Sequence, residues 1–549
     1  MSDDNRVTRR TFLQYGGVTA GAAATVSLAG CGGDGADGDG DGTPTPGDDG
    51  DGETPTDTPT DEGPSVPEDF PVRITQGNMP SGLDPHDHRE TPTDVVMLHA
   101  YEGVLGRDPD GAIFENLATG YERVEPGHVR FTIREDVQFH NGDDLTPADV
   151  AYSINRMVQE DVGFASPQRD QLAGVNEAAV ADDARAVDVF SDGLNPTVIS
   201  SFGTYCDVMQ QSWVENHTKA EIGKQMNGTG PFQLDSYTEG EEVVLARYED
   251  YWDGPADVSQ VTFTAASEAA TRVNQLLGEE TDVTVNVPPQ EVGRVENSDV
   301  ARIEAAPSTR IIYNAMRYDV EPFSSQEFRQ AMNYAVDLES IVSNVLEGFG
   351  SQTGQPTLEG FVGHNSDVSP YEYDPDMAEQ LVEDSGHAGV EIELHTPVGR
   401  YLKDLEIAQA VAGYVDDLEN VSASVNQRDF GSLVDDLASG EITDKPPWYL
   451  IGWGEATFDG GLVITALLST GATFSSYSNE EVDSMLEQSR NQGGDERDQT
   501  LQELNALLHD QAPWIYLNRQ FSVYGASERI DWSARSDERI DAYAMSPSS

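Results

Sequence analysis

The chain has 549 residues, of which 37% are hydrophobic, so it is long enough for more than one domain and can form substantial cores. Its 99 acidic residues and 31 lysines and arginines give a formal net charge of -68, which excludes DNA, RNA and anionic membranes as partners because like charges repel. Cys31 and Cys206 are the only cysteines, which excludes both a disulfide framework and a structural zinc site.

The first 31 residues carry the features of an export signal. Arg9 and Arg10 precede a run of small and apolar residues at 16–28, which is short for a membrane-spanning helix. The paired arginines resemble a twin-arginine signal, and Leu-Ala-Gly-Cys, ending at Cys31, resembles a lipobox. We therefore expect export, lipidation of Cys31 and anchoring at the outer face of the cell membrane. An uncleaved signal anchor is the alternative.

Residues 32–69 consist almost entirely of Gly, Asp, Thr and Pro. This composition cannot bury enough apolar surface to offset the entropy of ordering, and it predicts a disordered tether. The Asp-Gly run at 37–42 imitates the start of a calcium loop, but position twelve is Asp48 rather than glutamate and no helix is predicted on either side. We expect no metal there.

After residue 70 the sequence predicts both strands and helices from its hydrophobic periodicity. In chain order these are strand 71–75, helix 93–101, strand 129–134, a helix from Pro147, a hairpin of strands 232–237 and 243–248, helix 269–277, strand 283–287, a helix with Phe328, a helical run at 341–346, strand 390–395, helix 405–418, strand 448–453, helices 479–488 and 500–509, and strand 514–517. Helices and strands alternate along the chain without a repeated period, which predicts an α/β fold.

Two of these helices have capping residues at their predicted starts. Thr146 is a favourable N-cap, and Pro147 suits the first helical position. Ser324 and Glu327 form a capping box ahead of the helix that contains Phe328.

The distribution of charge predicts a protein of concentrated salt. Lysine occurs only at four positions, and the acidic residues are spread through every segment. Salt screens the repulsion among such charges, so we expect a halophilic, haloarchaeal-like lipoprotein. The alternative is an ordinary acidic secreted protein.

Seven short motifs follow one another after residue 70. They are Leu-Asp-Pro at 83–85, Tyr-Glu-Gly at 101–103, Phe-His-Asn-Gly at 139–142, Leu-Thr-x-x-Asp-Val at 145–150, Gly-Thr-Gly-Pro-Phe at 228–232, Asp-Tyr-Trp at 250–252 and Phe-Arg-Gln-Ala-Met-Asn-Tyr-Ala-Val-Asp at 328–337. In this order they resemble the extracellular solute-binding proteins, family 5, of the peptide and nickel ABC importers, the dipeptide- and oligopeptide-binding group, over nearly everything after Pro71.

The resemblance implies an α/β fold of two lobes, like the periplasmic binding proteins (Venus flytrap), with an additional subdomain in the first lobe. A solute would be held in the cleft and enclosed when the lobes close. The implied division is lobe I at 70–307 with the subdomain at about 116–225, lobe II at 308–520, a return to lobe I at 521–549, and crossing strands at 309–314 and 514–521.

The resemblance also implies that the Gly-Trp segment at 452–459 lines the cleft. Trp453, between two glycines, offers a flat apolar wall, and packing in a core is the alternative. In peptide-binding relatives an aspartate holds the peptide's amine at the position that is Ala456 here. Because a buried ammonium without a carboxylate is unfavourable, the peptide interpretation requires Glu455 or Asp459 instead.

Four more residues complete the candidate ligand-binding set. Gly454 follows Trp453, and Tyr313, Asn314 and Tyr101 could reach the cleft or only satisfy nearby backbone groups. The expected function is capture of a di- or oligopeptide by a monomer that passes it to an ABC permease, without a cofactor or a metal. An oligosaccharide or another neutral molecule, stacked on Trp453, is the alternative solute.

Two other classes compete with this interpretation. A tethered secreted hydrolase should carry a local catalytic signature, but His-Glu-x-x-His, Gly-x-Ser-x-Gly and Gly-x-x-x-x-Gly-Lys are all absent, so we expect no catalytic residues. His86 and His88 could form a metal pair for nickel or haem import, but a solvated loop is expected because no third ligand lies nearby. A purely structural surface protein would lack a cleft with convergent polar groups.

Overall fold

The computed structural model describes residue 67 and residues 69–548, apart from residues 110, 163, 173, 183 and 184. The predicted export signal with Cys31, and nearly all of the predicted tether, lie outside the described residues. Among the helices of the described residues, none combines the length and the apolarity that crossing a membrane requires.

The described part of the chain forms nineteen strands, most of them in one large mixed sheet. In chain order they are β1 (Pro71–Gln76), β2 (Leu105–Arg107), β3 (Ile113–Glu115), β4 (Ala118–Glu125), β5 (His128–Ile133), β6 (Val175–Val180), β7 (Ala186–Ser191), β8 (Phe232–Thr238), β9 (Glu242–Arg247), β10 (Gln260–Ala265), β11 (Val283–Thr284), β12 (Ala301–Met316), β13 (Gly350–Gln352), β14 (Val390–Pro397), β15 (Val421–Arg428), β16 (Trp448–Gly454), β17 (Trp514–Ser527), β18 (Ile530–Asp531) and β19 (Ser546–Pro547).

The α-helices of the same residues alternate with these strands. They are α1 (Thr91–Ala100), α2 (Pro147–Val158), α3 (Val198–Phe202), α4 (Gln211–Glu215), α5 (Lys219–Ile222), α6 (Ala269–Leu277), α7 (Pro289–Glu296), α8 (Gln326–Tyr334), α9 (Leu338–Ser340), α10 (Pro375–Ser385), α11 (Asp404–Asp416), α12 (Phe430–Ala438), α13 (Gly460–Leu468), α14 (Glu480–Arg490) and α15 (Gly494–Gln511). Short 3₁₀ or π turns lie at Arg169–Leu172, Ile341–Val345, Ile442–Asp444 and Ala542–Ala544.

The large sheet has the order β15-β14-β16-β12-β17-β11-β1-β10-β9-β8, with β13 paired to β17 beside this path. The antiparallel strands β12 and β17 lie at its centre. Residues 301–307 of β12 pair with 521–527 of β17, whereas residues 311–315 pair with 514–519. A register shift within 307–311 separates the two stretches, so one long pair of strands connects both halves of the sheet.

A separate antiparallel sheet of four strands has the order β4-β5-β7-β6. Alternate residues of β5 face the interior, where Val129 and Phe131 share a core with Val150 and Ile154 of α2. Helix α2 begins as predicted, because the Thr146 side chain accepts a hydrogen bond from the third helical N–H and completes a capping box.

Buried side chains of the large sheet form two main cores. One contains Trp448 and Tyr516 and surrounds β14, β16 and the first half of β17. The other contains Phe263 of β10 together with Trp532 and Tyr543 from near the C-terminal end. The last described residues therefore pack against the first strands of the sheet.

The start of α8 differs from the prediction by one residue. The cap is Ser325, whose hydroxyl oxygen accepts the Phe328 N–H at 3.3 Å and donates to the Glu327 carboxylate at 2.8 Å. The prediction of Ser324 as the cap is wrong because Ser324 belongs to the preceding turn, where its N–H donates to the Val320 carbonyl at 2.9 Å.

Three predicted elements near the C-terminal half have other extents. The strand predicted at 514–517 continues to Ser527, because its pairing with β12 extends beyond the apolar run. The helix predicted at 500–509 spans Gly494–Gln511, and the run at 341–346 begins as α9 and continues as a π turn. The predicted hairpin is confirmed as β8 and β9.

Candidate solute-binding site

The candidate site lies at one edge of the large sheet. Strands β14 and β16 are parallel neighbours, so their carboxyl ends at Pro397 and Gly454 lie at the same edge. In open α/β sheets, ligands bind beside the carboxyl ends of the strands. The loops at 398–403 and 455–459 that follow these ends therefore define the candidate site.

Trp453 and Gly454 present an apolar wall at the end of β16. Trp453 is half-buried and packs on Phe474, with ring centroids 5.6 Å apart and an angle of 56° between the rings. Its indole nitrogen is buried, so the rest of the ring supplies the accessible surface. Gly454 is exposed, and a Cβ there would lie 3.1 Å from the guanidinium of Arg310. The glycine thus leaves room for this cation.

Glu455 is a buried acid that forms no ion pair among the described residues, although its charge acts on Arg107. The residue is 8% exposed, and Oε1 accepts hydrogen bonds from the Thr457 N–H at 3.2 Å and the Thr457 hydroxyl at 2.7 Å. Burial raises the pKa of Glu455 to about 7, because the charged form loses its hydration and the two bonds from Thr457 offset only part of that loss.

Asp459 lies in the same turn but has partners for its charge. Its carboxylate accepts two hydrogen bonds of 2.7 Å from the guanidinium of Arg497, and Oδ1 also accepts the Gly461 N–H at 2.9 Å. These contacts neutralise the charge and cap α13. Of the two acids that could replace the amine-binding aspartate, Glu455 is therefore the one whose charge is not balanced by an ion pair.

Tyr313 and Tyr101 lie in the two main cores, and the buried Asn314 makes no side-chain hydrogen bond among the described residues. Tyr313 stacks on Trp514 with ring centroids 3.7 Å apart, and Tyr101 accepts the Asn227 N–H at 3.2 Å. Asn314 is fully buried. The structure thus brings Trp453, Gly454 and Glu455 together and leaves these three side chains away from the accessible edge.

The sequence interpretation missed two arginines beside this edge. Arg400 is exposed, and its guanidinium lies over the rings of Tyr401 and Phe430 at 5.0 and 5.2 Å without a carboxylate partner among the described residues. Arg310 pairs with Glu538 at 3.2 Å. Although Arg400 is exposed, the protein packed around its guanidinium and then the charge of Arg310 lower its pKa, while the charges of Glu538 and Asp404 raise it. The sequence did contain one indication of Arg400, because it is an arginine in the turn after predicted strand 390–395, in a chain with few lysines and arginines.

Acids from the first half of the chain face the same region. Burial by the surrounding protein raises the pKa of Asp94 to about 7, although 61% of its side chain is exposed in this arrangement. Burial raises the pKa of Asp207 to about 6, while the positive charge of Arg539 lowers both values. The pKa of Tyr205 is also raised, chiefly by burial and then by the charges of Glu455 and Asp94.

His86 and His88 are buried, at 0% and 4% exposure, so the prediction of a solvated loop is wrong. Arg156 draws this turn inward by donating to both carboxylate oxygens of Asp84 at 3.0 and 2.6 Å. Burial and the charge of Arg156 lower the pKa of His86 to about 3, and its Nε2 lies 2.8 Å from the Asp207 carbonyl oxygen. Within the described residues no group of three or more His, Cys, Asp or Glu side chains could hold a metal ion.

The long antiparallel strands β12 and β17 connect the two halves of one mixed sheet, as in the two-lobed α/β binding proteins. The ABC transporter substrate-binding protein CtaP from Listeria monocytogenes has this fold, with a TM-score of 0.78 and 19% identity over 88% of this chain and 100% of that chain. DppA from Helicobacter pylori, in complex with the peptide STSA, has a TM-score of 0.75 and 18% identity over 87% and 98%. The predicted fold class is confirmed.

The sequence comparisons identify the family. The model of the bacterial extracellular solute-binding proteins, family 5, matches residues 112–475, so the chain belongs to this family. A curated relative, the glutathione-binding protein GsiB from Pectobacterium atrosepticum, is 23% identical over 481 residues, which cover 83% of this chain and 90% of that protein. Membership confirms the predicted family and the prediction of a binding protein rather than an enzyme.

Proposed function

We propose that this chain is the substrate-binding component of an ABC importer that captures a di- or oligopeptide and delivers it unchanged to a membrane permease. The proposal is carried by the position of Glu455, a buried acid that forms no ion pair among the described residues and lies beside the half-buried Trp453. An ammonium group on the solute supplies the missing partner and relieves the unfavourable burial of the carboxylate.

Arg400 supplies the complementary charge. Its guanidinium is exposed at the same strand edge, and arginine binds a carboxylate through two parallel hydrogen bonds. A solute with an ammonium group at one end and a carboxylate at the other satisfies both Glu455 and Arg400. A neutral oligosaccharide could stack on Trp453 but would leave both charges without partners.

The names of similar proteins support a peptide solute. GsiB is a glutathione-binding protein, and glutathione is itself a small peptide. DppA was solved with the peptide STSA. Because the identities are near one fifth, these names support the class of solute and not a particular peptide.

We place the lobe boundaries where β12 and β17 change register. Lobe I then comprises 70–307, with the additional subdomain at about 116–225, and the return at 521–549, while lobe II comprises 308–520. The crossing strands form the hinge, and the solute shifts the population toward the closed form through contacts that are better there.

We also propose that the protein is exported and anchored at the outer face of the membrane. The twin-arginine pair directs export, lipidated Cys31 anchors the mature protein at the outer face of the membrane, and residues 32–69 form the tether. The protein acts as a monomer in concentrated salt, where its acidic surface is screened.

Titration calorimetry at molar salt tests the solute class. A panel of dipeptides and tripeptides, the same peptides with an acetylated amine or an amidated carboxylate, and a maltooligosaccharide are titrated into the full chain. We expect binding of free peptides only, since each blocked end removes one charge partner. Glu455→Gln should weaken binding of a free peptide at least about tenfold, the usual scale for a charged hydrogen bond.

A matched control is Glu372→Gln, which removes an exposed acid that has no part in the site. This variant should keep the wild-type affinity. Equal binding of free and acetylated peptides, or binding of the oligosaccharide alone, would reject the proposal.

A further inference from the structure

The turn that follows β16 contacts residues from the first half of the chain. The Phe458 ring lies against the backbone of Gly111 so closely that a Cβ on Gly111 would be 2.9 Å from ring atom Cδ1. The guanidinium of Arg107 lies over the same ring, 5.3 Å from its centroid. Phe458 is itself buried, so the ring is enclosed between two parts of the chain that are far apart in sequence.

Hydrogen bonds hold together the surface that Phe458 contacts. Arg107 donates to the carbonyls of Gly111 and Ser200, the latter at 2.9 Å, and to the hydroxyl oxygen of Thr204 at 3.2 Å. The Thr204 hydroxyl lies 3.3 Å from the Ala456 carbonyl oxygen in the turn that carries Phe458. Ring, cation and hydroxyl therefore form one contact between the proposed lobes, and none of these groups belongs to the crossing strands.

The backbone of Phe458 is in a conformation that aromatic residues rarely adopt. Its φ is 58°, in the left-handed region, where a bulky side chain is unfavourable unless the surroundings hold it. The ring packs on Phe361 with centroids 5.2 Å apart, and the Phe458 N–H donates to the Glu455 carbonyl at 3.3 Å. The same turn thus holds both the interlobe contact and the candidate amine-binding acid.

We propose that Phe458 is a positioning residue for solute capture: its contact with Gly111 and Arg107 stabilises the closed arrangement and keeps the Glu455 turn in place, a role that rests on the proposed capture of a solute between the lobes. The ring does not touch the solute. It acts through the fraction of molecules that are closed, because the apparent dissociation constant equals the intrinsic constant divided by that fraction.

The test adds a methyl group at Gly111, in the opposite lobe, so that no residue of the Glu455 turn is itself substituted. Gly111→Ala should displace the Phe458 ring, open the unliganded protein and weaken binding of a free tripeptide about tenfold, mainly through faster dissociation. Small-angle X-ray scattering of the unliganded full chain at molar salt should show a larger radius of gyration. Stopped-flow or calorimetric titration with the tripeptide gives the affinity.

The matched control is Gly254→Ala. Gly254 has a φ of 88° against 91° for Gly111, but a Cβ there meets nothing within 4 Å. The control therefore carries the same backbone strain without a collision, and it should keep the radius of gyration and affinity of the wild type. If Gly111→Ala changes neither quantity relative to Gly254→Ala, the role of Phe458 is rejected.

A second pair of variants separates the contact from a loss of folding. Phe458→Leu keeps an apolar side chain against Gly111 and should restore most of the affinity that Phe458→Ala loses. Equal losses in both would overturn the proposal. If the wild type binds no peptide, the solute class fails, but the scattering comparison of the unliganded variants still decides whether this contact stabilises the closed form.

Discussion

The carboxylate of Asp459 accepts two hydrogen bonds of 2.7 Å from the guanidinium of Arg497, and both side chains are buried. Glu455, in the same turn, has no such cation among the described residues. Two acids that are equivalent candidates in the sequence therefore differ in the structure. Asp459 stabilises the start of α13, and Glu455, which forms no ion pair, is the candidate for binding a solute ammonium.

Asp459→Asn should lower the free energy of unfolding by about 3–5 kcal/mol, because it leaves the buried guanidinium of Arg497 without its charge partner. Denaturant unfolding at one fixed molar salt concentration measures the change. Glu455→Gln is the comparison, since it removes a buried acid without a cation and should leave stability unchanged or higher. Unfolding of Asp459→Asn at the wild-type denaturant concentration would contradict this assignment.

Solute affinity should rise with pH through neutrality. The pKa of Glu455 is raised to about 7 by burial, and a solute ammonium binds the charged carboxylate. The association constant should therefore fall by up to about tenfold per pH unit between about pH 7 and 5. Calorimetry with a peptide whose amine stays protonated over this range measures the slope, and a wild-type affinity independent of pH would contradict the prediction.

Ionisation of Glu455 should lower the free energy of unfolding as the pH rises, whereas it raises the affinity for the solute. Because the pKa of Glu455 is higher in the folded protein, the folded state binds more protons, and stability should fall as the pH rises from about 4.5 to about 7. Asp94 and Asp207 also have raised pKa values, near 7 and 6, and face the same region. Glu455→Gln should therefore reduce the slope without abolishing it.

Trp453→Ala should abolish the rise in melting temperature that a bound peptide causes, because it removes the apolar wall beside Glu455. Trp213→Ala is a matched control, since Trp213 is also half-buried and packs on an aromatic neighbour, His217, at 4.5 Å. Both variants should lose stability, but only the first should lose the response to peptide. An unaltered response in Trp453→Ala would move the site elsewhere.

The melting temperature should rise as KCl or NaCl is increased from dilute to molar concentration. The net charge of -68 makes the folded chain repel itself, and salt shortens the range of that repulsion. Differential scanning calorimetry across the salt series tests this expectation. Stability that stays constant or falls with salt would favour an ordinary acidic secreted protein.

The sequence alone determined the periodic elements and the family. Alternation predicted β5 and the hairpin of β8 and β9, and Thr146 predicted the start of α2, because these features depend on neighbouring residues. The order of short motifs predicted the solute-binding family, which the comparisons confirm. Trp453 and its acidic neighbours were found as candidates in the same way.

Only the tertiary structure decided which charges have partners. Arg497 reaches Asp459 across 38 residues, and Arg156 reaches Asp84 across 72, which neutralises one candidate acid and buries the turn of His86 and His88. Arg400 became a candidate only from the structure, because the parallel pairing of β14 and β16 places the loops that follow them side by side. Ion pairing and burial depend on distances between residues remote in sequence, and local periodicity carries no information about those distances.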